Sequence, residues 1–265
     1  MATYQFENYS IGYTVLENAA PTDLVFLNGN LATSRWWLPT VEELKPSFKG
    51  QKLNGRMIFF ELPGCGESLP VQGDLDVPTI AGQYLELIKH LRIEKAAILG
   101  HSTGGLLACW LMAKAPQVFS KGLLLDPVGA KGIQFDDAVL EKYEEMKTSK
   151  ELTAAIIAFT IHNCDVQSAF FQQIIVEDTF KSVNQVGSRM IRALRGYNSE
   201  ASLRQIQADV TILFGEKDIL LPKADAQGLT SLIPNSKFIE VPGAGHCLNV
   251  ENPKLMAQYI RDSLF

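Results

Sequence analysis

The sequence predicts an α/β protein: a mostly parallel, doubly wound sheet with a helical cap inserted before the last two strands. Three observations carry that expectation. Six short apolar runs stop abruptly at turn-forming or acidic residues, an amphipathic helix links two of them, and the strand rhythm disappears across one long internal stretch. The runs are residues 24–27 before Asn28-Gly29, 57–60 before Glu61 and Pro63-Gly64, and 96–99 before Gly100. The others are 122–125 before Asp126-Pro127, 210–214 before Gly215, and 238–241 before Pro242-Gly243. Strands buried on both faces read as unbroken apolar runs, and their carboxyl ends break into loops.

The connecting helix is read between residues 76 and 91, where Ile80, Tyr84, Leu87, Ile88 and Leu91 fall on one face. Residues 4–7 and 11–16 are expected to form an antiparallel hairpin leading into the sheet. From 129 to 208, charged helical stretches alternate with aromatic-rich ones, which suits a lid over the strand ends where open sheets bind ligands. The expected organisation is a core in two parts, 1–128 and 209–265, interrupted by a helical cap at 129–208.

Composition narrows the function. With 24 Lys and Arg against 29 Asp and Glu, the 265-residue chain carries a formal charge of −5, and no basic excess is available to neutralise a polyanion. A nucleic-acid partner is not expected. Cys65, Cys109, Cys164 and Cys247 form no C-x-x-C pair, so neither a disulfide framework nor a zinc site is suggested. The first ten residues lack the charged and apolar regions of a secretory signal, and the longest apolar run, 106–113, is too short to span a bilayer. A cytoplasmic protein is expected.

The chemistry centres on Gly100-His101-Ser102-Thr103-Gly104-Gly105, between the apolar run 96–99 and a helix expected from about 103 to 115. A serine between glycines at a strand-to-helix turn is held in strained backbone with its hydroxyl exposed, at a helix N-terminus that favours developing negative charge. A serine hydroxyl also needs a base to take its proton and a carboxylate to orient that base. Of the four histidines, His246 is the one in a Gly-rich loop at a strand end.

These residues make the chain resemble the α/β-hydrolase superfamily, in the order nucleophile, acid, histidine. Gly215-Glu216-Lys217-Asp218 follows one late run and Gly243-Ala244-Gly245-His246 the last; Glu61-Leu62-Pro63-Gly64-Cys65-Gly66-Glu67-Ser68 is similar to the acidic, Gly-rich loop of that family. The resemblance implies a triad of Ser102, His246 and Asp218. Asp126 is the rival acid, because some relatives place it there, and Glu216 is a weaker one. It further implies an oxyanion hole of the Thr103 and Asn30 amides, with Asn28 standing where the family carries histidine. Trp36 and Trp37 are candidates to line the substrate pocket, against the alternative of packing against the lid.

The expected activity is a serine carboxylesterase acting on a small to medium acyl substrate, with no cofactor and no metal. Serine at 102 argues against the dehalogenase and epoxide-hydrolase branches, which resemblance would require to carry aspartate there. Carbon–carbon bond hydrolysis, cofactor-free perhydrolysis, and a ligand sensor that keeps its triad and binds a partner protein are the alternatives.

Overall fold

The computed structural model describes residues 1–6, 10–69 and 73–265. Its strands are β1 Ala2–Gln5, β2 Ser10–Ala20, β3 Asp23–Leu27, β4 Gly55–Phe60, β5 Ala96–His101, β6 Phe119–Leu125, β7 Asp209–Gly215 and β8 Ser236–Val241. They form one sheet in the order β1-β2-β4-β3-β5-β6-β7-β8. The six expected apolar runs are the six parallel strands β3 to β8. β1 and β2 form the antiparallel pair, with Tyr4 opposite Ile11; the expected end of the first strand at Glu7 lies outside the described residues. β2 continues past the expected stop at Leu16, because an irregularity between Leu16 and Ala20 turns Glu17 and Asn18 to solvent and lets pairing with β4 resume.

Helices cover both faces. α1 Leu38–Leu44, α2 Val77–His90 and α3 Thr103–Lys114 precede a helical group between β6 and β7. That group comprises α4 Asp137–Thr148, α5 Lys150–Thr160, α6 Glu177–Val186, α7 Arg189–Leu194 and α8 Glu200–Leu203. It is the cap inserted before the last two strands. α9 Lys223–Gly228, α10 Leu248–Glu251 and α11 Pro253–Leu264 complete the chain.

Strand alternation sends neighbouring side chains to opposite faces. Leu24 and Phe26 of β3, with Met57 and Phe59 of β4, pack with Val41 of α1 and Ile260 of α11. Val25, Leu27, Ile58 and Phe60 pack on the other face with Ile80 of α2 and Leu107 of α3. α2 starts where Asp76 accepts from Thr79 N–H and a proline occupies the first turn, so the periodic apolar face and the cap agree.

Because β4 and β5 flank β3, the winding reverses at β3, and a crevice opens above the carboxyl ends of β3 and β5. Asn28, Ser102, Asp126, Asp218 and His246 all follow strand ends along that edge. No helix among the described residues is long and apolar enough to cross a membrane.

Candidate active site

Ser102 sits between β5 and α3 at φ 53°, ψ −116°, a left-handed conformation costly for a residue with a Cβ. The glycines around it answer a packing requirement. A Cβ on Gly100 would lie 2.3 Å from the Gly104 carbonyl oxygen, and one on Gly104 would lie 2.6 Å from that of Leu27. Both obstacles are backbone and cannot swing away. Gly100→Ala is therefore expected to destabilise the fold by at least about 2 kcal/mol, read as a lower urea midpoint; an unchanged midpoint would contradict the close approach. Thr103 opens α3, so its amide is among the first-turn N–H groups that have no intrahelical acceptor.

His246 and Asp218 meet: Nδ1 of the ring lies 2.7 Å from Asp218 Oδ2. An ionised carboxylate only accepts, so Nδ1–H donates and the neutral ring keeps its lone pair on Nε2. Asp218 Oδ1 accepts from Leu220 N–H at 2.7 Å and Leu221 N–H at 3.3 Å. Burial raises the Asp218 pKa, but the bond and charge of His246 and these two amides outweigh it, leaving the carboxyl below its ordinary value.

The rival acid is close by. Asp126 is fully buried at φ 42°, and its Oδ1 accepts from Gly215 N–H at 2.7 Å. Burial first, then the charge of Asp218, push its carboxyl well above the ordinary range. Of the two, Asp218 ionises first. Among the described residues, one group of potential metal ligands has its atoms all within 4.8 Å of one another, and it is Asp126, Asp218 and His246. The Asp218–His246 bond and the amides on both carboxyls hold this group together, and Asp126 Oδ2 is buried without a hydrogen-bond partner.

Two residues that the sequence reading gave no such role position the histidine. His101 lies in the cavity wall, and its Nε2–H donates to the carbonyl of His246 at 2.8 Å. Burial, followed by the neighbouring His246, lowers the His101 pKa to about 3, so it is a neutral donor. Glu251 accepts from the amides on either side of His246, Gly245 at 2.7 Å and Cys247 at 3.0 Å, and from the cap through His162 N–H at 3.2 Å. An acid five residues after the histidine was the only sequence signal for it.

The loop after β3 carries Asn28 and Asn30. Asn28, 1% exposed, donates to Phe60 O and Glu61 Oε2, both at 3.1 Å. Glu61 also accepts from Ser34 N–H at 3.0 Å, so one buried carboxyl ties down both ends of the loop that presents the Asn30 amide. Burial raises the Glu61 pKa from 4.5 to about 7. The folded state therefore holds this proton more tightly than the unfolded chain. Its stabilisation is complete below pH 4.5 and is lost as pH rises through 7, by about 3 kcal/mol. Glu61→Gln cannot titrate, so the wild type should lose about that much stability relative to the variant between pH 4.5 and 7. Parallel stability curves for the two proteins would rule it out.

A cavity of about 570 Å³ lies between these loops and the cap. Asn30, His101, Ser102, Thr103 and His246 line its floor; Phe135, Tyr143, Met146, Ile157 and Leu194 come from the inserted segment. Trp36 is in the wall, whereas Trp37 is not. Consecutive residues of a tight helical turn point in different directions, and Trp37 goes under the sheet to pack edge-on against Phe26 at 5.4 Å. The expectation that Trp37 lines the pocket is corrected accordingly.

With this geometry in view, the chain matches the alpha/beta hydrolase family over residues 24–259 and belongs to it. Among known proteins it is similar to the pimeloyl-[acyl-carrier protein] methyl ester esterase of Pectobacterium atrosepticum, 27% identical over 262 residues, 94% of this chain and 96% of that one. Among solved structures, an esterase from Exiguobacterium antarcticum has a TM-score of 0.80 at 20% identity, covering 96% of this chain and 95% of that chain. The enol-lactonase from Burkholderia xenovorans LB400 has a TM-score of 0.80 at 17% identity, covering 98% of each. These two likenesses establish the shared fold.

Proposed function

We propose that this member of the hydrolase family is a serine carboxylesterase that cleaves esters of small to medium, uncharged acyl substrates through an acyl-enzyme on Ser102. The observation that carries the reading is the 2.7 Å His246–Asp218 bond in the same cavity that exposes the strained Ser102. In this reading Nε2 of His246 takes the serine proton as the hydroxyl attacks the carbonyl, and Asp218 stabilises the imidazolium that forms. The Thr103 and Asn30 amides hold the oxyanion. His246 then protonates the leaving alcohol, and water repeats the sequence to release the acid. Residues 129–208 act as the lid.

The substrate class follows from the walls. Among the described residues lining the cavity, Lys142 alone carries a full charge, and it pairs with Glu145 at 2.7 Å. The rest is largely apolar, which favours neutral acyl groups. The methyl ester esterase relative supports ester chemistry. Four free thiols, three of them buried, support a reducing, cytoplasmic location.

Intact-mass analysis after treatment with a fluorophosphonate tests the reading. One adduct is expected on the wild type and none on Ser102→Ala. A folded wild type that takes no adduct would sink the proposal and favour a ligand sensor.

A further inference from the structure

Of the polar residues that the cap brings to this largely apolar cavity, Gln134, Lys142, Tyr143 and Thr160, Tyr143 reaches the loop that carries Asn30. Tyr143 of α4 brings its hydroxyl to 2.7 Å from Asn30 Nδ2, a contact spanning 113 residues of sequence. Asn30 donates its amide proton there, so the phenol oxygen accepts, and the phenol keeps a proton of its own. Both residues line the cavity. The oxygen cannot readily ionise, because burial raises its pKa to about 12 against the opposing bond from Asn30. It is a neutral donor at any working pH. Among the described residues that phenol proton has no acceptor, whereas Asn30 Oδ1, itself an acceptor, is buried without a hydrogen-bond partner. A buried polar group without a partner is costly, and a substrate that satisfies it recovers that cost on binding.

We propose that Tyr143 is a specificity-determining residue that donates a hydrogen bond to an oxygen acceptor on the substrate close to the reacting carbonyl, favouring oxygen-bearing esters over plain alkyl esters of the same shape. The proposal rests on the esterase reading, since Asn30 is the residue whose backbone amide that reading assigns to the oxyanion. The hydroxyl then stands one asparagine side chain from that oxyanion, a reach that matches an ether, hydroxyl or carbonyl oxygen two or three atoms from the reacting carbon. Because α4 belongs to the cap, the same bond ties the cap to the oxyanion loop, and the polar contact forms where the lid is seated.

Matched substrate pairs test it. On the acyl side the pair is p-nitrophenyl 3-methoxypropanoate and p-nitrophenyl pentanoate; on the alcohol side, 2-methoxyethyl butanoate and butyl butanoate. Rates are normalised to alkaline hydrolysis of each ester, so that inherent reactivity cancels. The wild type should prefer the oxygen-bearing member of at least one pair by about tenfold in kcat/KM, the worth of one hydrogen bond. In Tyr143→Phe, which keeps the ring, that ratio should fall to near one, while fluorophosphonate labelling of Ser102 persists. A Tyr143→Phe variant that slows both members equally would show a purely structural tyrosine and overturn the inference. So would a wild type with no preference in either pair. Failure of Ser102 to label at all would instead sink the esterase reading beneath it.

Discussion

Ser102→Ala is expected to lower kcat for ester hydrolysis by about five to six orders of magnitude, the scale on which removal of an acyl-transfer nucleophile acts. The fold should not notice. The Ser102 side chain makes no capping hydrogen bond to α3, and alanine meets the same backbone strain at φ 53° that serine does. Urea unfolding should therefore agree within about 0.5 kcal/mol, the usual margin for a substitution that breaks no packing or hydrogen bond. Any residual rate would come from the oxyanion amides and substrate binding. Turnover within tenfold of wild type would place the nucleophile elsewhere.

The second large effect separates the two carboxyls. Asp218→Asn should cost about four orders of magnitude in kcat, because an amide placed 2.7 Å from Nδ1 can turn its NH2 toward the ring. That arrangement favours the tautomer with the proton on Nε2, which cannot accept one from serine. Asp126→Asn should cost less than about tenfold. The asparagine carbonyl still accepts from Gly215 N–H, and its NH2 group can donate toward Asp218, as the protonated acid would. The reverse ranking of the two variants would make Asp126 the acid. Kinetics on the two purified variants decide it.

Much of this architecture was legible because its rules are local. An apolar strand ending in Gly-x-Ser-x-Gly before a helix specifies the Ser102 turn within six residues, and the clash distances at Gly100 and Gly104 give the steric reason. Parallel strands announce themselves because both faces are buried, as Leu24 to Leu27 and Met57 to Phe60 illustrate by alternating between two cores. β2 runs longer than its sequence pattern suggests, because Glu17 and Asn18 interrupt that pattern at an irregularity and pairing beyond that point depends on β4.

The site was only partly legible. Asp126 and Asp218 both follow strands, and which of them faces His246 depends on how β6 and β7 end side by side. Trp36 and Trp37 are neighbours in sequence and belong to opposite sides of the sheet. Tyr143 sits in a charged helical stretch with no pattern to single it out, since its significance is a contact with a residue 113 positions away.

By itself, then, the sequence determined the sheet, the cap's place in the chain and the strained serine turn, because burial periodicity and glycine sterics act over a few residues. Tertiary structure decided which carboxyl meets His246, which tryptophan reaches the cavity, and what Glu61, Glu251, His101 and Tyr143 hold in place. Hydrogen bonds between distant segments depend on where the folded backbone brings them, and no short-range pattern records that.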